Sequence, residues 1–255
     1  GKTAAFTLPV LHRIMPFASH STSPARHPVR ALILTPTREL ADQVAENVER
    51  YCSTSALRST AVYGGIDIRP QKEMLRQGCE LLIATPGRLL DHLEQKNVNL
   101  SQVGVLVLDE ADRMLDMGFL DDMKAIVAHT PDSRQTLMFS ATFEKTLAKL
   151  AASMLKDSLR IDVANQTQRH ENIEQTLLYA DNAGHNSRLH EHILDNEPVY
   201  QAIVFTATKR SADDLAERLK DNDYKAAALH GDMNQRQRTR TINLLQNGKL
   251  HVLVA

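Results

Sequence analysis

The sequence predicts an α/β fold built from two parallel-sheet domains in tandem, and three observations carry that reading. Short apolar, β-branched runs alternate with segments of helical spacing, two stretches far apart in the chain repeat one another, and 255 residues are ample for two cores. In the first half the strands are expected at 29–35, 60–63, 80–84, 104–108 and 135–139. Between them, the stretch from Arg38 carries Leu40, Val44, Val48 and Tyr51 on one helical face, and the stretch from Arg88 carries Leu89, Leu90 and Leu93. Strand then helix, repeated, places functional loops at the carboxyl ends of the strands.

The polar stretch NQTQRHEN, 165–172, follows neither period and is expected to be a linker between a first domain, 1–164, and the start of a second, 173–255. Beyond it, strands are expected at 175–180, 201–205, 226–229 and 251–254, with helices starting near Ser211 and Gln235. Ser211 and Asp214 have the spacing of a capping box, and Gly248 suits a helix end.

The repeat ties the halves together. LILTPTRELADQVAE (32–46) aligns without a gap on IVFTATKRSADDLAE (203–217), VYGG at Val62 matches LHGD at Leu229, and QGCELLIA matches NGKLHVLVA. The chain stops at Ala255, where the first copy continues into Thr85-Pro86-Gly87-Arg88, so the second sheet is expected to be incomplete at its C-terminal end.

A formal net charge of -1 supplies no global field for nucleic acid or an anionic membrane, so any such binding must be local. Two cysteines without metal-like spacing fit a reducing compartment, and the cytoplasm is the expected location. No apolar run approaches the roughly 18 residues of a membrane helix, and no membrane partner is expected. Aromatic residues make up 4 % and Trp is absent, which argues against a base-stacking platform. The 11 histidines include His190 and His192 in HEH, but none has zinc-ligand spacing.

The chemistry gathers in GVLVLDEADRMLDMGF, 104–119, where a buried-type strand ends in Asp109, Glu110 and Asp112. Buried carboxylates lose hydration, so such a cluster needs cations, donors or solvent. One reading is acidic capping of the helix that starts at ADRML. The other joins the cluster to the opening Gly1-Lys2-Thr3, the tail of the phosphate-loop pattern G-x-x-x-x-G-K-[ST]. In that reading Lys2 neutralises nucleotide phosphates, Thr3 and Asp109 ligate Mg²⁺, and Glu110 polarises the attacking water.

DEAD (109–112), PTREL (36–40), TPGR (85–88), SAT (140–142) and the tandem Gly64-Gly65 together resemble the signatures of DEAD-box RNA helicases. VFTATK and HGDMNQRQR extend the resemblance along the second half, and the wording around LDEADRMLDMGF and RQTLMFSAT is most similar to bacterial RhlE-type members. The resemblance implies two RecA-like domains of the P-loop NTPase type that close over ATP and a single strand of RNA. It implies that Gly1, Lys2, Thr3, Asp109 and Glu110 bind the nucleotide with Mg²⁺ at Thr3 and Asp109. It further implies that Ser140 and Thr142 couple this centre to RNA through Asp112. For Ser140 an ordinary helix N-cap is the competing reading.

RNA is expected to lie across Pro36, Thr37, Arg38, Gly64, Gly65, Thr85, Gly87 and Arg88 of the first domain and Thr208, Lys209, Gly231, Asp232, Gln235 and Arg238 of the second. These hydroxyls, cations and glycines suit phosphates and 2′-hydroxyls rather than base edges, so binding should be independent of sequence. Singly, each also fits turn or cap chemistry. Arg236 and Arg240 are expected on a solvated helix face.

The expected activity is ATP hydrolysis coupled to RNA duplex remodelling. A nucleotide-gated RNA clamp and a DNA helicase on the same scaffold are the alternatives. Ribonucleoprotein and RNA-degradation assemblies are the partner classes that the resemblance implies. The segments that read adenine and supply arginines to the γ-phosphate are absent from the stretch, so a fragment of a longer helicase, nearly inactive alone, is expected.

Overall fold

The computed structural model describes residues 2–163, 173–174, 176–196 and 200–255. The chain divides into two compact units, Gly1–Ile161 and Asp162–Ala255. The expected linker, 165–172, lies outside the described residues.

In chain order the first unit contains α1 (Lys2–Ile14), β1 (Ala31–Leu34), α2 (Arg38–Cys52), β2 (Ser59–Val62), α3 (Ile68–Arg76) and β3 (Leu81–Ala84). It continues through α4 (Pro86–Glu94), β4 (Val105–Leu108), α5 (Ala111–Asp116), α6 (Leu120–Ala128), β5 (Gln135–Met138) and α7 (Lys145–Met154). The five strands form one parallel sheet in the order β2-β3-β1-β4-β5.

The central strands are apolar at every position because both faces are covered, and the two-residue period of a strand sorts their side chains. Leu32, Leu34, Leu82, Ala84, Leu106 and Leu108 join one core with Leu75 of α3, Leu89 of α4, Met114 of α5, Ile126 of α6 and Leu150 of α7. Ala31, Ile33, Leu81, Ile83, Val105 and Val107 join the other with Phe6 and Val10 of α1 and Val44 and Val48 of α2. Each buried Leu, Ile or Val contributes about 1.5–3 kcal/mol relative to exposure.

A buried histidine–glutamate contact closes the amino-terminal rim of this sheet. His27 Nδ1 lies 2.6 Å from Glu80 Oε1, with both side chains at 0 % exposure. Glu80 Oε2 accepts from the Arg58 amide at 2.9 Å, which ties the start of β3 to the chain entering β2.

The second unit contains α8 (Ala183–Asn196), β6 (Ala202–Val204), α9 (Lys209–Asp221), β7 (Ala226–Ala228), α10 (Gln235–Gln246) and β8 (Val252–Val254). Its parallel sheet runs β6-β8-β7. Ala212, Leu215, Ala216 and Leu219 of α9 pack with Ala226, Val252 and Val254.

Two local expectations are corrected. Helix α9 begins ahead of Ser211: Thr208 is extended (φ -142, ψ 153), and its hydroxyl accepts from the Ser211 amide at 3.1 Å. Ser211 is therefore the recipient of a cap rather than the cap. Residues 176–180 form no strand, while Gln175 lies outside the described residues. A strand needs a ladder partner, and this exposed segment adds none to the described sheet. Gly248 follows α10 with φ +67, the left-handed conformation that a helix end favours. No described helix is long and apolar enough to cross a membrane.

Candidate functional site

Because every strand of the first sheet is parallel, its carboxyl ends form one rim. The backbone ladder carries the acidic cluster there: the Asp109 amide donates to Leu34 O at 3.0 Å, and the Phe139 amide donates to Leu108 O at 2.8 Å. Asp109 is 3 % exposed, and its Oδ1 accepts from the Glu110 amide at 3.1 Å. Burial pushes its pKa up, the Lys2 ammonium pulls it down, and Glu110 and Asp112 push it up again, leaving it raised overall. Lys2, at the start of α1, thus acts electrostatically on the carboxylate at the end of β4. Thr3 follows it in the first turn, whereas Gly1 lies outside the described residues.

Glu110 holds φ 51, ψ 52, a left-handed conformation that costs a non-glycine residue about 1–2 kcal/mol. It occupies the cap position of α5, yet its side chain makes no cap bond; Oε2 instead lies 3.4 Å from Arg113 Nη1. Acidic capping does not account for it.

Asp112 Oδ2 accepts from the Ala141 amide at 3.2 Å, the Thr142 amide at 2.9 Å and the Thr142 hydroxyl at 3.0 Å. Burial raises the Asp112 pKa, but the bonds from Thr142 and its other donors outweigh that effect and hold it below the ordinary value. Ser140 caps no helix: its hydroxyl donates to Thr142 O at 2.6 Å, and α7 begins later, after Glu144. The segments 109–112 and 140–142, about thirty residues apart, are therefore one hydrogen-bonded unit.

Beside this centre, the loops after β1, β2 and β3 are neighbours by sheet order. Thr35 Oγ1 donates to Thr37 O at 3.3 Å, and Thr37 Oγ1 caps α2 by accepting from the Leu40 amide at 3.3 Å. This turn carries the buried Pro36 and sets Arg38 at the helix start. Gly65 has φ +77, and a Cβ placed there would come within 1.7 Å of Arg38 Nη1, so the guanidinium lies where only glycine leaves room. A Cβ on Gly64 or Gly87 would meet only open space. Thr85 stands at the cap of α4 without a side-chain cap bond, and Arg88 Nη2 donates to Ile66 O at 3.1 Å.

One residue in this group carries no sequence signal. Gln71 of α3 is 2 % exposed; its Oε1 accepts from the Tyr63 amide at 3.1 Å, and its Nε2 donates to Tyr63 O at 3.0 Å. The Tyr63 hydroxyl bonds to the Asp42 carboxylate of α2, and burial together with this bond holds the phenol well above its ordinary value.

In the second unit Thr206 Oγ1 donates to Thr208 O at 3.1 Å, repeating the turn of the first unit. Lys209 Nζ donates to Asp232 Oδ1 at 2.5 Å, and that bond holds the Asp232 pKa below its ordinary value. Gly231 borders the Lys209 chain, with Cε 3.7 Å from a Cβ placed on it. Gln235 opens α10 and Arg238 follows one turn later; Asn234 and Gln237 form a capping box there, while Arg236 and Arg240 are exposed.

Asp109, a buried carboxylate under the field of the Lys2 ammonium, and the Thr3 hydroxyl are of the donor types that Mg²⁺ takes beside nucleotide phosphates. Among the described residues no group of three His, Cys, Asp or Glu could hold a metal on its own.

Residues 1–150 match the family model of the DEAD/DEAH box helicases, and residues 184–255 match that of the helicase conserved C-terminal domain. The DEAD-box ATP-dependent RNA helicase RhpA of Helicobacter pylori is 38 % identical over 255 residues, which are 100 % of this chain and 50 % of that protein. The ATP-dependent RNA helicase DeaD of Mycobacterium tuberculosis is 42 % identical over 256 residues, covering 100 % of this chain and 44 % of that protein. The chain thus spans about half the length of these curated relatives. Among solved structures, S. cerevisiae Dbp5 bound to RNA and ADP BeF3 aligns with a TM-score of 0.82 at 27 % identity, over 100 % of this chain and 62 % of that one. The yeast DEAD-box splicing factor Prp28 aligns with a TM-score of 0.58 at 32 % identity, over 100 % of this chain and 59 % of that one.

Proposed function

This chain belongs to the DEAD/DEAH box helicase family and has its two RecA-like parallel sheets, and from that premise we propose that it is the core of an ATP-dependent RNA helicase. The observation that carries the reading is the Asp112 carboxylate, which joins the acidic nucleotide-type cluster to Ser140-Ala141-Thr142 through three hydrogen bonds. Such a junction lets the state of one segment be felt by the other, which a helicase needs and a plain nucleotide binder does not.

In this reading Lys2 neutralises the β and γ phosphates, while Thr3 and Asp109 hold Mg²⁺ with Gly1 at the loop beside them. Bound Mg²⁺ supplies charge neutralisation at the phosphates. Glu110 orients the attacking water and receives its proton at the carboxylate. Asp112, Ser140 and Thr142 transmit the occupied state. RNA phosphates and hydroxyls lie on Pro36, Thr37, Arg38, Gly64, Gly65, Thr85, Gly87 and Arg88, and in the second unit on Thr208, Lys209, Gly231, Asp232, Gln235 and Arg238. Hydroxyls, glycines and cations of this kind suit phosphates and 2′-hydroxyls, so recognition is independent of sequence in this reading.

Dbp5, bound to RNA and to ADP BeF3 in which the beryllium fluoride stands in for the γ-phosphate, supports both ligands by similarity. Location in the reducing cytoplasm is part of the same reading and fits two free, buried cysteines, Cys52 and Cys79. An RhlE-type subgroup rests on the wording of LDEADRMLDMGF (108–119) and RQTLMFSAT (134–142) alone.

Steady-state ATP hydrolysis by the whole protein, alone, with single-stranded RNA and with matched DNA, tests the proposal. RNA stimulation that exceeds DNA stimulation and disappears in Glu110→Gln is the expected result. Equal stimulation by DNA would replace RNA with DNA as the substrate, and RNA binding without turnover would leave a nucleotide-gated clamp.

A further inference from the structure

The loop that carries Gly64 and Gly65 has a brace. Strand β2 ends at Val62, whose carbonyl still accepts from the Thr85 amide at 3.1 Å. One residue later, the amide and carbonyl of Tyr63 both pair with the side chain of Gln71. Gln71 Nε2 also lies 3.4 Å from Asp67 O, at the other end of the loop. A primary amide has the donor and acceptor of a peptide group, so Gln71 extends the ladder by one rung and spans both ends of a five-residue turn.

Two further contacts of that turn reach RNA-facing loops. Gly65 sits against the Arg38 guanidinium from the loop after β1, and Ile66 O accepts from Arg88 Nη2 after β3 at 3.1 Å. The Tyr63 hydroxyl holds α2 through Asp42. With two glycines, the turn has little stiffness of its own, and the groups that fix its height relative to Arg38 and Arg88 are those that hold Tyr63. Gln71 is buried on α3, so it contacts no RNA itself.

We propose that Gln71 is a positioning residue for RNA: by pinning Tyr63 and Asp67 it sets the Gly64-Gly65 backbone, and with it the seats of Arg38 and Arg88, at the height that a phosphate chain requires. The assignment rests on the RNA reading of these loops.

The test uses the whole protein, with Gln71→Met, which keeps length without hydrogen bonding, and Gln71→Glu, which keeps an acceptor for the Tyr63 amide. Labelled single-stranded oligouridine is titrated in the presence of ADP and beryllium fluoride, nucleotide affinity is measured separately, and amide hydrogen exchange is followed across 63–67. Gln71→Met should weaken RNA binding by about tenfold, leave nucleotide affinity within about twofold, and speed exchange in the loop but not within β1–β4. Gln71→Glu should fall between, and it carries the same comparison if the methionine variant does not fold. RNA affinity within about twofold of the unmodified protein, unchanged loop exchange, or a parallel loss of nucleotide affinity would each overturn the assignment. Failure of the unmodified protein to bind oligouridine would instead overturn the RNA reading on which it rests.

Discussion

The same turn is built twice, once in each unit, and the copies differ at one charge. In the first, Thr35 and Thr37 fold the strand into a helix that starts at Arg38, whose guanidinium lies over Gly65. In the second, Thr206 and Thr208 make the same bonds, the helix starts at Lys209, and the ammonium is paired to Asp232. The sequence repeat places Gly65 and Asp232 at equivalent positions. A glycine opposite the cation brings no carboxylate toward an incoming phosphate; an aspartate holds its lysine in place but opposes the phosphate. On the proposed RNA reading, the first unit at this position favours affinity and the second favours placement of its cation.

Making the first copy like the second should have the largest effect. Gly65→Asp forces a side chain into a left-handed backbone and into the space of Arg38, besides adding a negative charge. RNA affinity should fall by about a hundredfold and folding stability by about 1–2 kcal/mol, read from an oligouridine titration and thermal melts. Gly65→Ala, which displaces Arg38 without the charge, should lose less.

A second comparison is within the first unit, where Asp112→Ala should uncouple 109–112 from 140–142. Removing an acceptor of three bonds should cut RNA-stimulated hydrolysis by about tenfold or more while leaving RNA affinity without nucleotide within about twofold, as steady-state rates and titrations would show.

The reverse exchange, Asp232→Gly, should release Lys209 toward phosphate. The same exchange loses the carboxylate's own contact to a 2′-hydroxyl, so RNA affinity at low salt should stay within about threefold, while the log-log salt dependence should steepen by about 0.7, one added single-strand contact. The shared part of the turn should respond equally in both units: Thr37→Ala and Thr208→Ala should each cost about 1 kcal/mol by denaturant unfolding. Unequal costs would show that the copies differ in more than charge.

The smallest effect is a titration. The bond from Lys209 lowers the Asp232 pKa below its ordinary 3.8, so the stabilisation is present above pH 3.8 and is lost as pH falls below it through the folded value. A carboxyl resonance titration should place the Asp232 midpoint below 3.8, and Lys209→Met should move it upward.

Much of this was legible in the sequence because the signals were local and redundant. Continuous apolar runs such as Ala31–Leu34 and Val105–Leu108 have no comfortable place except a sheet covered on both faces. The alignment of Thr35-Thr37 with Thr206-Thr208 already contained the shared turn. What was hidden depended on conformation or distance. Ser211 and Thr208 are both plausible caps until the extended backbone of Thr208 decides between them. Gln71 reads as a solvated helix residue, because its burial comes from where α3 lies against β2 rather than from any neighbour in sequence. The same holds for His27 and Glu80, which are remote in sequence and joined at 0 % exposure.

The left-handed backbone of Glu110 also bears on how this protein can be engineered. Glycine at that position would be relieved of the conformational cost, and a selection for heat resistance should favour Glu110→Gly by about 1 kcal/mol. The same exchange removes the carboxylate to which the proposed function assigns turnover. Directed evolution scored on melting temperature alone should therefore converge here on a sturdier and inactive protein, and a library for thermostable variants should hold position 110 fixed.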